Sequence, residues 1–188
     1  MSSKEIVIDQ ALEIPDSLKT DALTLLLMPE RLRYSVRIKK ADLTAAKKTS
    51  GLKFPSKIGG SDISKSQVIL CLGPDEWLII ADPKTRSILS KSLEQLEKNY
   101  TVSITEISHR NIGFGIIGSR ASAAINVGCP LDLSLEAFPI GKTTRTVFES
   151  APIILTRTGQ DNFGIECWRS FAPYMRDFFV RIAGDISV

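Results

Sequence analysis

Histidine is almost missing from these 188 residues: His109 is the only one. That excludes the multi-histidine ligand sets of zinc and non-haem iron centres. It also leaves a single imidazole for acid–base chemistry near neutral pH. Cysteine is scarce as well. Cys71, Cys129 and Cys167 are odd in number, far apart and never in a C-x-x-C pair, so neither a disulfide framework nor a thiolate metal site is expected. They read as small buried hydrophobes in a reducing compartment. No apolar run approaches the roughly 20 residues needed to span a bilayer. The first fifteen residues lack the basic and apolar regions of a signal peptide, and the expected location is cytoplasmic, with no membrane partner. A strong charge bias is also lacking: the net charge is +3 and the basic residues are scattered along the chain. A nucleic-acid binder concentrates them on one face to displace counterions, so no nucleic-acid partner is expected.

What is present is the composition of an ordinary globular protein, 43% hydrophobic and 24% charged. A chain of this length buries most of the surface it exposes when unfolded and needs no staple. Residues 1–20 are polar, carry Pro15, and read as an extended or poorly ordered arm. Residues 21–188 read as one domain in two repeated halves, about 21–100 and 101–188.

In the first half a short strand at 23–28 precedes Arg31-Leu-Arg-Tyr-Ser-Val-Arg-Ile-Lys39. The strict alternation there predicts a strand with Leu32, Tyr34, Val36 and Ile38 inward and Arg31, Arg33, Ser35, Arg37 and Lys39 outward. A helix over 41–50 is stopped by Gly51, and residues 54–66, rich in Gly, Ser and Pro, read as a loop. Strands at 67–72 and 77–81 flank a Gly73-Pro74-Asp75 turn. Asp82-Pro83 opens a helix to about residue 99, with Ile88, Leu89, Leu93 and Leu96 as its apolar stripe. In the second half, strands are expected at 102–107, 111–117, 143–148, 153–157 and 163–167, and helices at 120–127 and 171–183. Gly73, Asp75, Trp77 and Ile79 recur as Gly159, Asp161, Phe163 and Ile165 at a constant offset of 86. An internal duplication explains both this repeat and the matching element order. The fold class is therefore α+β: an internally duplicated unit of antiparallel sheets with helices packed on their outer faces.

Candidate chemistry is thin. Gly113-Phe-Gly115-Ile-Ile-Gly118 spells a dinucleotide fingerprint. Its glycines alternate with Ile112, Phe114 and Ile116, however, and the helix after it is short, so a plain strand is the better reading. His109 follows Ser108 but has no G-x-S-x-G elbow to support a triad. Asp75 with Glu76 and Asp132 with Glu136 read as turn and surface carboxylates, Asp75 and Asp161 shaping their turns by side-chain-to-backbone hydrogen bonds. For the basic face of Arg31, Arg33, Arg37 and Lys39 two readings stand: a solvated or edge-protecting face, or a patch that docks an acidic partner. No catalytic, cofactor-binding or metal-ligating residue is assigned.

Five motifs in order carry a resemblance: Cys71-Leu-Gly-Pro-Asp-Glu-Trp-Leu-Ile79, Glu106-Ile-Ser-His-Arg-Asn111, Gly128-Cys-Pro-Leu-Asp-Leu133, Phe138-Pro-Ile-Gly141 with Arg145-Thr146, and Arg169-Ser-Phe-Ala-Pro-Tyr174. From about Ala22 onward the chain resembles the gamma subunit of heterotetrameric sarcosine oxidase. The resemblance implies an accessory subunit without catalytic residues, in a bacterial oxidoreductase that demethylates sarcosine to glycine and passes the one-carbon unit to tetrahydrofolate. Its implied partners are alpha, beta and delta subunits. FAD, FMN, NAD and tetrahydrofolate would be bound by other subunits and none by this chain. The implied fold is similar to the folate-binding domain of aminomethyltransferases, the T-protein of glycine cleavage. Those enzymes carry an acidic pair before the strand leading to the G-x-D-E-aromatic turn, where this chain has Lys65-Ser66, with Asp62 nearby. The alternative is a standalone folate-binding or aminomethyltransferase-like domain, which requires a central pocket with a carboxylate inside, unplugged by Trp77 or Phe114. The accessory reading instead requires an exposed apolar patch.

Overall fold

The computed structural model describes residues 14, 18–20 and 22–186. Most of the expected arm, residues 1–13 and 15–17, lies outside the described residues. Leu18 is fully buried.

Among the described residues ten strands and four α-helices follow one another: β1 (Thr24–Leu27), β2 (Leu32–Ile38), α1 (Leu43–Ser50), β3 (Ser61–Ile63), β4 (Gln67–Cys71), β5 (Glu76–Ala81), α2 (Arg86–Asn99), β6 (Val102–Glu106), β7 (Asn111–Ile117), α3 (Ala121–Asn126), β8 (Thr143–Phe148), β9 (Ala151–Gly159), β10 (Asn162–Trp168) and α4 (Ala172–Ile186). They form two five-stranded antiparallel sheets, ordered β3-β4-β5-β2-β6 and β1-β7-β10-β9-β8. Read outward from β6 and from β1, the two orders are the same: β2 matches β7, β5 matches β10, β4 matches β9 and β3 matches β8. Each sheet is thus a β-α-β-β-α-β unit with one added edge strand.

The sheets divide the chain differently from the expected halves. β6, at 102–106, closes the first sheet, while β1, at 24–27, closes the second. The offset of 86 between the repeated hairpins extends beyond them. The 3-10 turn Pro83–Thr85 before α2 matches Arg169–Phe171 before α4.

Local chemistry accounts for these elements. Gly51 ends α1 in the left-handed region at φ 71°, and the Asp82 side chain accepts from the Lys84 N–H at 2.9 Å beside Pro83. Leu89, Leu93 and Leu96 bury the inner stripe of α2, but Ile88 is 70% exposed and does not belong to it. Residues 54–66 are not wholly loop, because β3 lies within them and pairs with β4.

Two cores result. Leu32, Tyr34, Val36, Ile38, Ile79 and Trp77 pack under α1 and α2. There Trp77 meets Phe54 edge-on at 5.6 Å and donates Nε1–H to the Pro55 carbonyl at 2.9 Å. Leu25, Phe114, Ile116, Phe163 and Ile165 pack under α3 and α4. Trp77 and Phe163, equivalent in the repeat, therefore anchor equivalent cores. Because side chains alternate along a strand, the remaining faces of the two sheets look at each other, giving four layers, helix–sheet–sheet–helix.

Candidate inter-sheet site

Between the facing sheets the alternation of β2 puts Arg33 opposite Glu166 of β10. The guanidinium clamps the carboxylate from both sides, Nε to Oε2 at 2.6 Å and Nη2 to Oε1 at 3.0 Å. Arg33 is 2% exposed. Burial pushes the Glu166 carboxyl above the ordinary range, against the pull of Arg33. The same burial, with Glu166 adjacent, pushes the Cys167 thiol up to about 12, and burial also raises that of Cys71. These are packed, unreactive thiols.

Gly113 makes the pair possible. A Cβ there would stand 2.7 Å from Glu166 Oε1 and 3.3 Å from Arg33 Nη2. Gly113→Ala should therefore push the pair apart and lose about 1–3 kcal/mol. Gly115→Ala, whose Cβ would meet nothing nearer than Met28 Sδ at 3.5 Å, should lose less than about 1 kcal/mol. Thermal melts of the two variants check this, and equal losses would dismiss the close-approach explanation. The glycine fingerprint is thus strand β7, with its first glycine making space for a salt bridge.

The basic face of β2 is likewise neither simply solvated nor free. Besides Arg33, Arg31 lies 3.4 Å from Asp82, and Arg37 reaches both Asp75 and Glu76. Asp75 thus meets a guanidinium rather than the backbone of its own turn. Glu76 is shared with Arg145 of β8, a second link between the sheets. The hydrogen bond from Arg145 holds the Glu76 carboxyl below its usual range, with Arg145 and Arg37 charges adding to it against desolvation. A lowered native value means stability that is present in full above about pH 4.5 and lost as pH falls through the native value. Glu76→Gln should therefore reduce stability near neutral pH, by about 1 kcal/mol given the half-exposed arginines. The gap to wild type should close in acid. A pH series of urea midpoints measures it, and a gap that widens in acid would contradict the assignment.

Toward β1 the sheets part and enclose a cleft of about 390 Å3, within the size range of small-ligand sites. Leu26, Met28 and Ile117 line one wall, Val68, Leu70 and Ile80 the other. Phe114 lines it without filling it, and Trp77 lies in the helix-side core. Lys65 and Ser66, in the turn between β3 and β4, also line the cleft. Asp62 does not: it borders a separate surface groove of about 590 Å3 beside α1. The one carboxylate lining the cleft, among the described residues, is Glu166. Sequence patterning missed it, since a lone Glu within an apolar strand gives no signal until its partner, 133 residues away, is known.

The other candidates do not converge. Ser108 donates to Glu106 at 2.8 Å and accepts from the Arg33 N–H; His109 is exposed on the next residue. Glu106 is spent on Arg86, whose hydrogen bond lowers its carboxyl most. Asp132 caps its own turn through the Ser134 N–H at 2.8 Å, which lowers its carboxyl. Among the described residues no group of three or more His, Cys, Asp or Glu could hold a metal ion. No described helix is long and apolar enough to cross a membrane.

The profile of the sarcosine oxidase, gamma subunit family matches residues 38–184. The chain belongs to that family. It is 25% identical over 191 residues to the sarcosine oxidase subunit gamma of Corynebacterium sp. (strain U-96), covering 100% of this chain and 86% of that relative. It is 26% identical over 114 residues to the gamma subunit of an Arthrobacter species, covering 60% of this chain and 55% of the relative. The fold is similar to a chain of the heterotetrameric sarcosine oxidase of Corynebacterium sp. U-96, solved with pyrrole 2-carboxylate. That match has a TM-score of 0.76 at 22% identity and covers 94% of this chain and 90% of the other. It is also similar to the glycine cleavage aminomethyltransferase T of Bartonella henselae, with a TM-score of 0.66 at 14% identity over 88% of this chain and 47% of that one. This chain thus shares the architecture of about half of that aminomethyltransferase, in line with the fold the resemblance implied.

Proposed function

We propose that this chain is a non-catalytic accessory subunit of a sarcosine-oxidising complex, assembled with alpha, beta and delta partners that hold FAD, FMN, NAD and tetrahydrofolate. The observation that carries this is the chemistry of the inter-sheet cleft. Proton transfer from a folate amine needs a carboxylate free to change state within hydrogen-bond reach. The position where aminomethyltransferases are expected to carry an acid is Lys65-Ser66, and a lysine cannot take that role. Glu166, the carboxylate present, has both oxygens committed to Arg33.

Purifying the tagged chain from its native cells tests the proposal. The expected result is a yellow complex with further subunits that oxidises sarcosine, and whose activity survives Lys65→Ala. A colourless lone chain would overturn it. The open cleft favours one second reading, a folate-binding domain. Titration of the isolated chain with tetrahydrofolate decides that reading, which needs saturable binding that Val68→Trp, filling the cleft, abolishes.

A further inference from the structure

Past the end of the facing sheet, the inner face of β8, β9 and β10 carries an apolar row left exposed by the described helices and by the other sheet. Val147 pairs with Pro152, and Cys167 pairs with Ile153. The next step of that register sets Trp168 beside Pro152. Their neighbours Phe148, Ile153 and Cys167 all point into the helix-side core, so Val147, Pro152 and Trp168 point the other way. Val147 is 41% and Trp168 50% exposed. Phe171, partly buried against the helix-side core, holds its ring 6.2 Å from that of Trp168 at the margin of the row.

The rim is cationic. The loop between β6 and β7 is tied beside Trp168, the Arg169 N–H and Nε donating to the carbonyls of Arg110 and His109 at 2.9 and 3.3 Å. Arg37, Arg145 and Arg169 are each about half exposed there. Opposing acids are Asp75, Glu30 and the largely covered Glu76. Arg110 donates to Asn111 Oδ1 at 3.1 Å and is in no salt bridge among the described residues, its charge adding to those that hold the Glu76 carboxyl below its usual range. Four arginines therefore face three carboxylates, and one of the four, Arg110, has no direct salt bridge to give up.

The geometry points to this face as a docking surface for an acidic segment of a partner subunit, one that lays an apolar side chain against Trp168 and Pro152 and a carboxylate against Arg110. Tryptophan and arginine are the residues that most often dominate association energies. A rim arginine outside any direct salt bridge supplies charge complementarity at no desolvated pair's expense. The inference rests on the accessory-subunit reading and names the surface through which assembly occurs.

The test is assembly of the full complex from co-expressed subunits, with Trp168→Glu, Arg110→Glu and, as a control on another face, Ile88→Glu. All three sites are exposed, and unchanged melting of each isolated chain confirms intact folding. Trp168→Glu should weaken assembly about 30-fold or more, the range of an interfacial anchor. Arg110→Glu should weaken it and flatten its salt dependence. Ile88→Glu should assemble as wild type does. If wild type assembles and Trp168→Glu and Arg110→Glu assemble equally well, the surface is wrong and the accessory reading stands. If wild type binds no flavoprotein partner, the reading falls and this inference falls with it.

Discussion

Replacing Arg33 alone by methionine is expected to cost about 3–5 kcal/mol, because it strands the Glu166 carboxylate in a site built for a bidentate cation. In a chain of this length each kcal/mol moves the melting temperature by roughly 2–4 °C, so a fall of about 6–20 °C should be seen. Arg33→Met, Glu166→Met together removes both charges and should recover most of the loss, since paired apolar replacements of buried ion pairs are often neutral. The single variant has a pH signature. An unfolded glutamate ionises near 4.5, and the stranded native one only at higher pH. The native state therefore binds the extra proton, and stability falls as pH rises through that window. The deficit of Arg33→Met should be small near pH 4 and grow toward neutrality. A deficit independent of pH, or a double variant as unstable as the single, would show that lost packing rather than stranded charge is responsible.

The elements were legible in the sequence where local rules act alone. The alternation of residues 32–38, the Asp82-Pro83 start before α2 and the Gly51 stop each fix backbone within a few residues. The offset repeat marked the hairpins β4–β5 and β9–β10, because Trp77 and Phe163 fill the same place in two similar cores. What depends on the opposing layer was not legible. Alternation says that Arg33 leaves the first core, but not that a second sheet waits there. The basic face of β2 consequently looked open when most of it is paired inside the molecule. Ile88 shows the same limit from the other side: helical spacing placed it on the stripe, and in the fold it stands in solvent beside the buried Leu89, Leu93 and Leu96. The cleft was foreseeable as a possibility of the fold, while its carboxylate, held by a residue in another sheet, was not. The row of Val147, Pro152 and Trp168 required the register of three strands.

Deletion of residues 1–30 should have the other large effect, because the opening strand completes the sheet that the end of the chain builds. β1 pairs along β7, from Thr24 opposite Ile117 to Leu27 opposite Phe114. Leu18, Leu23 and Leu25 are between 0% and 3% exposed in the second core. Each buried leucine contributes roughly 1.5–3 kcal/mol, so losing three approaches the whole stability of an ordinary domain, about 5–15 kcal/mol. The truncated chain should also bare the edge of β7, an apolar strand ready to pair with another copy. Loss of the cooperative thermal transition and aggregation on concentration are the expected outcomes. Leu25→Ala, at about 2–5 kcal/mol, should lower the melting temperature without abolishing the fold. If the two sheets descend from one duplicated unit, β1 does for the second what β6 does for the first, where only Tyr100 and Thr101 separate α2 from the strand. Residues 18–30 rejoined after α4 through a short linker should then restore the cooperative melt, since permutation at surface termini is often tolerated. A truncated chain that melts like the full one would show that β1 merely lies against a sheet already complete. A rejoined chain that stays unfolded, beside a destabilised truncation, would argue that the two halves are not equivalent.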